Sequence, residues 1–379
     1  MKKQRSSVCL RLCVFAGGMF ISFYQLIQLD PSMIRRMMGQ TEDREERRRL
    51  RIAMITRSAL IVVFAILFIG LMTSLFGAEN SSMAVSIFCI LLASRFVGFG
   101  YRISDSLFSM ALCFLVLLAG PVLAVMIPGF FWTLLVNFGC LFLIVLMTCE
   151  NPEMGNGGLY TFAYIFLSGN PVQGEAFLNR FYMTLLGFAL CGLVLWRNHA
   201  GQNRERTFVS ILKGYSLRNP KYQWQLRLTL GVTLLLSLFS TLGLTRYMWA
   251  GFACGSLLSD VEVENRIHEK LRDRVIGAAA GSALFYVIWS LLPASFIPLL
   301  GPVGGLCLGL CTEYRHKTML NCFGALSLAA GMYGLKGAVW LRIVMTLLGV
   351  LFALVFFWLF DHFILSKLEE KAGEEKPAA

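Results

Sequence analysis

The chain alternates between long apolar runs and short polar or Gly/Pro-containing breaks. Runs of this length predict helices that are buried or that cross a membrane, so we expect an all-α fold. The fifth and eighth runs are shorter than the usual span of about 17–25 residues, which predicts broken, re-entrant or extended helices there. The twelve predicted helices lie near 55–76, 81–97, 105–125, 129–148, 157–169, 180–196, 227–245, 248–259, 275–292, 296–312, 319–334 and 342–365.

Composition narrows the class of protein. Of the 379 residues, 57% are hydrophobic and 15% charged. Soluble domains are about 45–50% apolar and about 25% charged, so a soluble globular enzyme is excluded. We therefore predict a polytopic transmembrane bundle of about twelve spans.

The distribution of Lys and Arg predicts the orientation. An even number of spans puts both termini on one side. With both termini in the cytoplasm, nearly all of the 34 basic residues are cytoplasmic, as the positive-inside rule requires. We expect a multi-pass protein of the bacterial inner membrane. The exceptions are Arg57 and Arg95 within spans, and Arg180, Arg246, Lys336 and Arg342 on the opposite side.

The N-terminal segment 1–51 is basic and contains an apolar stretch at 8–29. A cleavable signal peptide is disfavoured because a small-residue cleavage site is missing. If residues 8–29 spanned the membrane, a basic cluster such as the run REERRRLR at 44–51 would lie on the outer side, against the positive-inside rule. We therefore favour an interfacial or re-entrant helix over a span.

Two predicted helices are similar in sequence. Residues 180–196 read RFYMTLLGFALCGLVLW and residues 342–358 read RIVMTLLGVLFALVFFW, in one ungapped register. This indicates two parallel six-helix repeats, an architecture that transporters use with the substrate path between the halves; a duplication retained for packing is the alternative. The predicted organisation is an N-terminal segment (1–51), a first repeat (52–196), a cytoplasmic connector (197–226), a second repeat (227–365) and a cytoplasmic tail (366–379).

Arginines inside spans are the candidate binding groups, because a buried charge is costly and normally faces a cavity or a partner. Guanidinium groups suit carboxylates, so converging arginines predict a site for an organic anion. The alternative is that an arginine near a helix end reaches the lipid headgroups, which we expect for Arg102, Arg227 and Arg246. The predicted substrate-binding residues are Arg57, Arg180, Arg274 and Arg342.

Acidic residues cluster in SDVEVENRIHEKLRDR, at 259–274. Asp260, Glu262 and Glu264 are candidates for proton coupling, since a carboxylate at the membrane edge could load a proton. A solvated helix with ion pairs one turn apart is the simpler interpretation.

Enzymatic and metal chemistry are not predicted. Most of the eleven cysteines lie in apolar runs, where Cys behaves as a small hydrophobic residue. Phosphate-loop, HExxH and GxSxG motifs are missing, so we expect no catalytic residues, metal or cofactor, and ATP-driven transport by this chain alone is excluded. A membrane enzyme would have to use His316 near Glu313 or the acidic cluster.

The second half carries a recognisable pattern: an Arg before its first helix, Trp-Ala on the second, an Arg and two glycines on the third, and an Arg that opens the last. These residues are Arg227, Trp249, Ala250, Arg274, Gly277, Gly281 and Arg342. The pattern resembles that of the fusaric acid resistance (FUSC) superfamily, which includes aromatic acid exporters and malate-type anion channels. Ala278 replaces the Thr that the family usually has, and the first half retains the closing Arg180 but not the other motif residues.

The resemblance implies an exporter of organic, aromatic carboxylates driven by the proton gradient. An anion channel and a non-transporting membrane subunit of an envelope assembly or secretion system are the alternatives. The partners that the resemblance implies are a small organic anion and a periplasmic adaptor protein. We also expect contact with membrane lipid and with further copies of the chain, and no binding of nucleic acid.

Overall fold

The computed structural model of the chain describes residues 22–261 and 263–365, and this part is α-helical, as predicted. Most of the stretch 8–29 lies outside the described residues. The helices, in chain order, are α1 (Phe23–Gln28), α2 (Pro31–Gln40), α3 (Arg44–Phe76), α4 (Ser81–Ser94), α5 (Ile103–Met126), α6 (Phe130–Thr148), α7 (Asn156–Ser168), α8 (Glu175–His199), α9 (Phe208–Lys213), α10 (Pro220–Thr241), α11 (Met248–Leu258), α12 (Val263–Leu291), α13 (Leu300–Leu308) and α14 (Tyr314–Phe360).

Six helices of the described part are long and apolar enough to cross a membrane: α3, α5, α6, α8, α12 and α14. The helices α4 and α11 and the segment Ala294–Leu308 are apolar but shorter. The chain is therefore a multi-pass membrane protein. The predicted short runs at 157–169 and 248–259 form the short helices α7 and α11.

The last two predicted helices meet at Gly334, where the backbone of α14 leaves the helical conformation, so α14 consists of two helical segments. This glycine has φ 70° and ψ 162°, a conformation that interrupts a helix and that L-residues rarely adopt. The kink divides α14 into a first segment, 314–333, and a second segment, 335–360. The predicted boundary at residue 334 coincides with this kink.

The second half of the chain packs around α14. Its first segment runs parallel to α12, where a Cβ atom at Gly281 would overlap the backbone of Met319. Its second segment runs antiparallel to α10, since Gly231 faces Phe356 and Phe239 packs against Phe352. Close packing through small residues is expected of membrane helices, where lipid provides no hydrophobic drive for association.

Several contacts between described helices join the two halves. Helix α6 packs on α10, where the Asn137 side chain donates to Ser237 Oγ (3.0 Å) and accepts from the Tyr164 hydroxyl (2.8 Å). Helix α7 packs on α11. Helix α3 packs on α13, where Ser58 Oγ donates to the carbonyl of Leu306 at 2.6 Å.

The helices α1 and α2 lie against the start of α3. Leu26, Ile34, Leu50 and Ala53 form a small core separate from the main one. On the other side of α2, the Arg35 guanidinium donates to Thr312 Oγ1 at 2.6 Å, in the connection between α13 and α14. The N-terminal layer is thus attached to both halves of the bundle.

Candidate functional site

A cavity of about 510 Å³ lies between the two halves of the chain. Helices α7, α11, α12 and α14 form most of its wall, and α4 contributes Val85. Small-molecule sites commonly have volumes of about 300–1,000 Å³. This cavity is therefore the candidate functional site.

The helices that line the cavity each present one face to it. Thr161 and Ile165 lie four residues apart on α7, and Phe252, Ser256 and Ser259 are spaced by four and three residues on α11. Such spacing puts side chains on the same side of a helix. Which side chains line the cavity therefore depends on how α7 and α11 are rotated about their axes.

Two of the four predicted substrate-binding residues, Arg274 and Arg342, line this cavity. Their side chains are buried, with residue exposures of 7% and 3%. The Nε atom of each has no hydrogen-bond partner, and neither forms an ion pair with a carboxylate of the described residues. Arg274 is also close enough for its charge to act on Arg342. The cavity thus has buried positive charge without a protein counterion in the described part of the chain.

Close helix packing holds these two arginines in place. Arg274 lies on α12, two turns before Gly281, where α12 approaches α14. Arg342 begins the sequence RIVMTLLG, whose Gly349 lets α14 approach the backbone of Ala250 on α11. The Thr346 hydroxyl donates to the Arg342 carbonyl at 2.8 Å, a local bond that orders this turn.

Aromatic side chains form the apolar wall. The Arg342 guanidinium lies over the Trp249 ring, 5.1 Å from its centroid. Phe162 and Phe252 stack with their centroids 5.0 Å apart, and Phe166 contacts both. The cavity therefore combines cationic groups with flat apolar surfaces, which suits an amphipathic anion.

A third arginine, Arg246, also lines the cavity. The sequence predicted that it would reach the lipid headgroups, and its place in the cavity contradicts that prediction. The guanidinium lies 5.5 Å from the centroid of the Tyr333 ring and contacts Met332 Sδ. The sequence did contain a signal for a place in the cavity, since Arg246 lies three residues before Trp249, one of the motif residues of the second half.

Arg180 lies outside this cavity, at the start of α8. The side chain is fully buried and donates four hydrogen bonds: to Asn80 Oδ1 (2.8 Å), the Asn170 carbonyl (3.0 Å), the Glu79 carbonyl (3.2 Å) and Ser82 Oγ (3.3 Å). The guanidinium thus links the connection between α3 and α4 to the connection between α7 and α8, at one end of the first half. Its hydrogen-bonding capacity is largely used within the protein.

Arg57 also lies outside the cavity, on the half-buried side of α3 that faces α2. Its charge acts on Asp30, the N-cap of α2. Burial alone would raise the pKa of Asp30, but hydrogen bonds from the Ser32 hydroxyl and amide, with the charges of Lys317 and Arg57, lower that pKa overall. The surroundings of Arg57 are those of an electrostatic contact between helices.

Of the proton-coupling candidates, Asp260 forms an ion pair with Lys270. Glu262 lies outside the described residues, as does the side chain of Glu264. Nearby, Asp273 forms an ion pair with Arg315 at 2.7 Å. These two ion pairs join residues ten and forty-two positions apart in the chain, so they are not the pairs one turn apart that the simpler interpretation of 259–274 predicts.

Arg227 was also expected to reach the headgroups, but it is buried, with 5% exposure. Its guanidinium lies over the Phe357 ring, 5.0 Å from the centroid, and donates to the Asp260 carbonyl. The prediction for Arg227 was wrong because α10 turns this residue toward α14 rather than toward lipid.

Comparison with known proteins supports the resemblance found in the second half. Residues 231–356 match the model of the fusaric acid resistance protein-like family. The match includes Arg246, Trp249, Arg274 and Arg342, all of which line the cavity. No curated protein matches the chain, and no solved structure does. The segment 231–356, which carries the three arginines that line the cavity, is therefore similar to the fusaric acid resistance protein-like family.

Proposed function

We propose that this protein is an inner-membrane transporter that exports organic, aromatic carboxylate anions through the cavity between its halves. One observation carries the proposal: the buried guanidinium groups of Arg274 and Arg342 share a cavity and have no carboxylate partner among the described residues. A buried, unpaired charge is costly. A bound anion would remove that cost, and a guanidinium binds a carboxylate with two parallel hydrogen bonds.

The aromatic wall supports the aromatic part of the substrate class. Trp249, Phe162 and Phe252 offer flat surfaces beside the cationic groups. Aromatic rings that pack in offset or edge-to-face arrangements gain about 0.5–1.5 kcal/mol beyond the burial of their area. A solute with one carboxylate and one ring would use both features of the site.

Two parallel six-helix repeats are our proposed architecture, with twelve membrane helices. Reciprocal contacts support it, because the first helix of each half packs on the fourth helix of the other, in the pairs α3 with α13 and α10 with α6. Corresponding residues also behave alike. Thr184 and Thr346 each donate to the carbonyl of the arginine four residues earlier, and Gly187 and Gly349 each face the second helix of their half.

The positions of the basic residues favour cytoplasmic termini and a cytoplasmic connector at 197–226. In this orientation the end of the cavity near Ser259 faces the cytoplasm, and the end near Arg246 faces outward. The proposed driving force is the proton gradient, with Asp260, Glu262 and Glu264 as the groups that would take up the proton. A periplasmic adaptor and self-association are further proposals from the family resemblance.

Flux through reconstituted protein tests the proposal. We expect proteoliposomes containing the wild type to release 4-hydroxybenzoate, and the variants Arg274→Gln and Arg342→Gln to be at least ten-fold slower. Arg95→Gln is the matched control, since Arg95 is exposed and lies outside the cavity. Wild-type rates in both cavity variants, with folding retained, would refute the anion site. Loss of a co-purifying partner at unchanged flux would instead indicate a non-transporting subunit.

An anion channel is the second candidate. The ion pair of Asp260 with Lys270 favours it, because a carboxylate held by an ammonium group is less available to carry a proton. Imposing a pH gradient distinguishes the two functions. A flux that follows membrane voltage and ignores the pH gradient would select the channel.

A further inference from the structure

We propose that Arg246 forms a second anion site, at the end of the cavity away from Arg274, and that the carboxylate leaves the protein through it. This inference rests on the proposed function and adds a route to it. The ligand class is the same organic carboxylate, bound first at the level of Arg274 and then by Arg246, with Arg342 between the two levels.

The two ends of the cavity are too far apart for one carboxylate to contact both. Arg246 contacts Met332 and Tyr333, at the end of the first segment of α14. Asp273, the neighbour of Arg274, pairs with Arg315 at the beginning of that segment. From residue 315 to residue 332, a rise of 1.5 Å per residue gives roughly 25 Å between the two levels. Arg246 is therefore a separate site from Arg274, whereas Arg342, which lies over the ring of Trp249 three residues from Arg246, stands between the two levels.

The Arg246 guanidinium has donors available for an anion. Its Nε is buried and has no hydrogen-bond partner among the described residues. Its other contacts are the Tyr333 ring and the thioether of Met332, and a thioether is a weak acceptor. A cation–π contact at a partly exposed site is also a weak interaction. A carboxylate is a stronger partner than either and can replace them.

The backbone on both sides of this contact is unusual. Arg246 has φ 58°, in the left-handed region that non-glycine residues rarely adopt. Tyr333 is followed by the Gly334 kink, with φ 70°. The strained backbone directs the Arg246 side chain across the cavity, and the kink places its aromatic partner opposite.

Sidedness of apparent affinity tests the second site. We would measure 4-hydroxybenzoate exchange in oriented proteoliposomes, with the anion varied on one face at a time. For Arg246→Gln, we expect the half-saturating concentration on the outward face to rise about ten-fold and that on the cytoplasmic face to change less than two-fold. For Arg274→Gln, we expect the opposite pattern. A purely structural role of Arg246 would change both faces equally.

Two further variants keep the test specific. Arg246→Lys retains the charge, so it should recover most of the outward-face affinity. Lys336→Gln is the matched control, because Lys336 is an exposed cation just after the same kink. Equal changes on both faces, no change, or the same shift in Lys336→Gln would overturn the second site while leaving the proposed function intact. A wild type that carries no anion from either face would refute both.

Discussion

Arg180 and Arg342 occupy the same register of the two similar helices, yet their surroundings predict opposite effects of mutation. Arg180 is satisfied by hydrogen bonds within the protein, whereas Arg342 faces the cavity without an ion-pair partner in the described chain. We therefore expect Arg180→Gln to lower stability and Arg342→Gln to lower anion flux. The same chemical change thus separates a structural arginine from a binding one.

The magnitude for Arg180 follows from its four hydrogen bonds. At about 1 kcal/mol net per bond, their loss costs roughly 4 kcal/mol. Removing a buried charge returns part of this, so the expected loss is about 2–4 kcal/mol. With about 2.1 cal/mol/K of unfolding entropy per residue, a chain of 379 residues would lose roughly 3–5 °C of thermal midpoint.

The magnitude for Arg342 is smaller. Gln at this position loses the contact with the Trp249 ring, about 0.5–2 kcal/mol. It also removes a buried charge that has no counterion among the described residues, which acts in the opposite direction. The net change in stability should be within about 1 kcal/mol, while the flux falls at least ten-fold.

Thermal unfolding in detergent and flux per folded molecule measure the two effects. Arg180→Lys is the conservative control, because it retains the charge but loses the planar geometry that reaches several acceptors at once. The reasoning fails if Arg180→Gln unfolds at the wild-type temperature, or if Arg342→Gln is destabilised more than Arg180→Gln. It also fails if folded Arg180→Gln loses as much flux as Arg342→Gln.

Three further predictions concern stability. Gly281→Ala should cost about 1–3 kcal/mol in a thermal-unfolding assay because α14 leaves no space for a Cβ atom, whereas Gly139→Ala, in open space, should be neutral. Tyr164→Phe should cost about 1–2 kcal/mol, since its buried hydroxyl helps to join the halves, and an unchanged midpoint would contradict this. Asp30→Ala should weaken the α2 N-terminus by about 1 kcal/mol at pH 7. The folded-state pKa of Asp30 is lowered, so the stability difference between wild type and variant is fully present above the unfolded-state pKa of about 3.9. It disappears as the pH falls through the folded-state pKa. Equal rates of hydrogen exchange for residues 31–40 in both proteins at pH 7 would refute this prediction.

Much of the helical framework could be predicted from the sequence, because an apolar run between polar breaks has few other solutions in a membrane. The boundary at Gly334 and the short helices α7 and α11 were predicted in this way. Run length alone did not show how the helical segments before and after Gly334 are oriented relative to their neighbours. That depends on packing against α12 and α10, which the local sequence does not contain.

The cavity arginines were harder to predict. Each arginine at a helix end has the same local sequence character, and successive residues differ by about 100° around a helix. A small rotation therefore decides whether Arg227 faces Phe357 or lipid, and the sequence does not fix that rotation. Arg246 was missed for a related reason, since its left-handed backbone directs its side chain in a way that no periodicity describes.

The contrast between Arg180 and Arg342 also indicates how the two halves differ in function. Each arginine reaches the beginning of the second helix of its half. In the first half, Arg180 donates a hydrogen bond to the side-chain oxygen of Asn80. In the second half, Arg342 lies over the Trp249 ring. A ring holds a guanidinium by its face and leaves the N–H donors at its edge available, whereas an amide oxygen uses a donor. The second half therefore retains binding capacity that the first half uses for its own packing. A substitution at Trp249 that offers an acceptor, such as Trp249→Asn, should lower anion affinity even though Arg342 itself is unchanged, and unchanged affinity in that variant would count against the assignment.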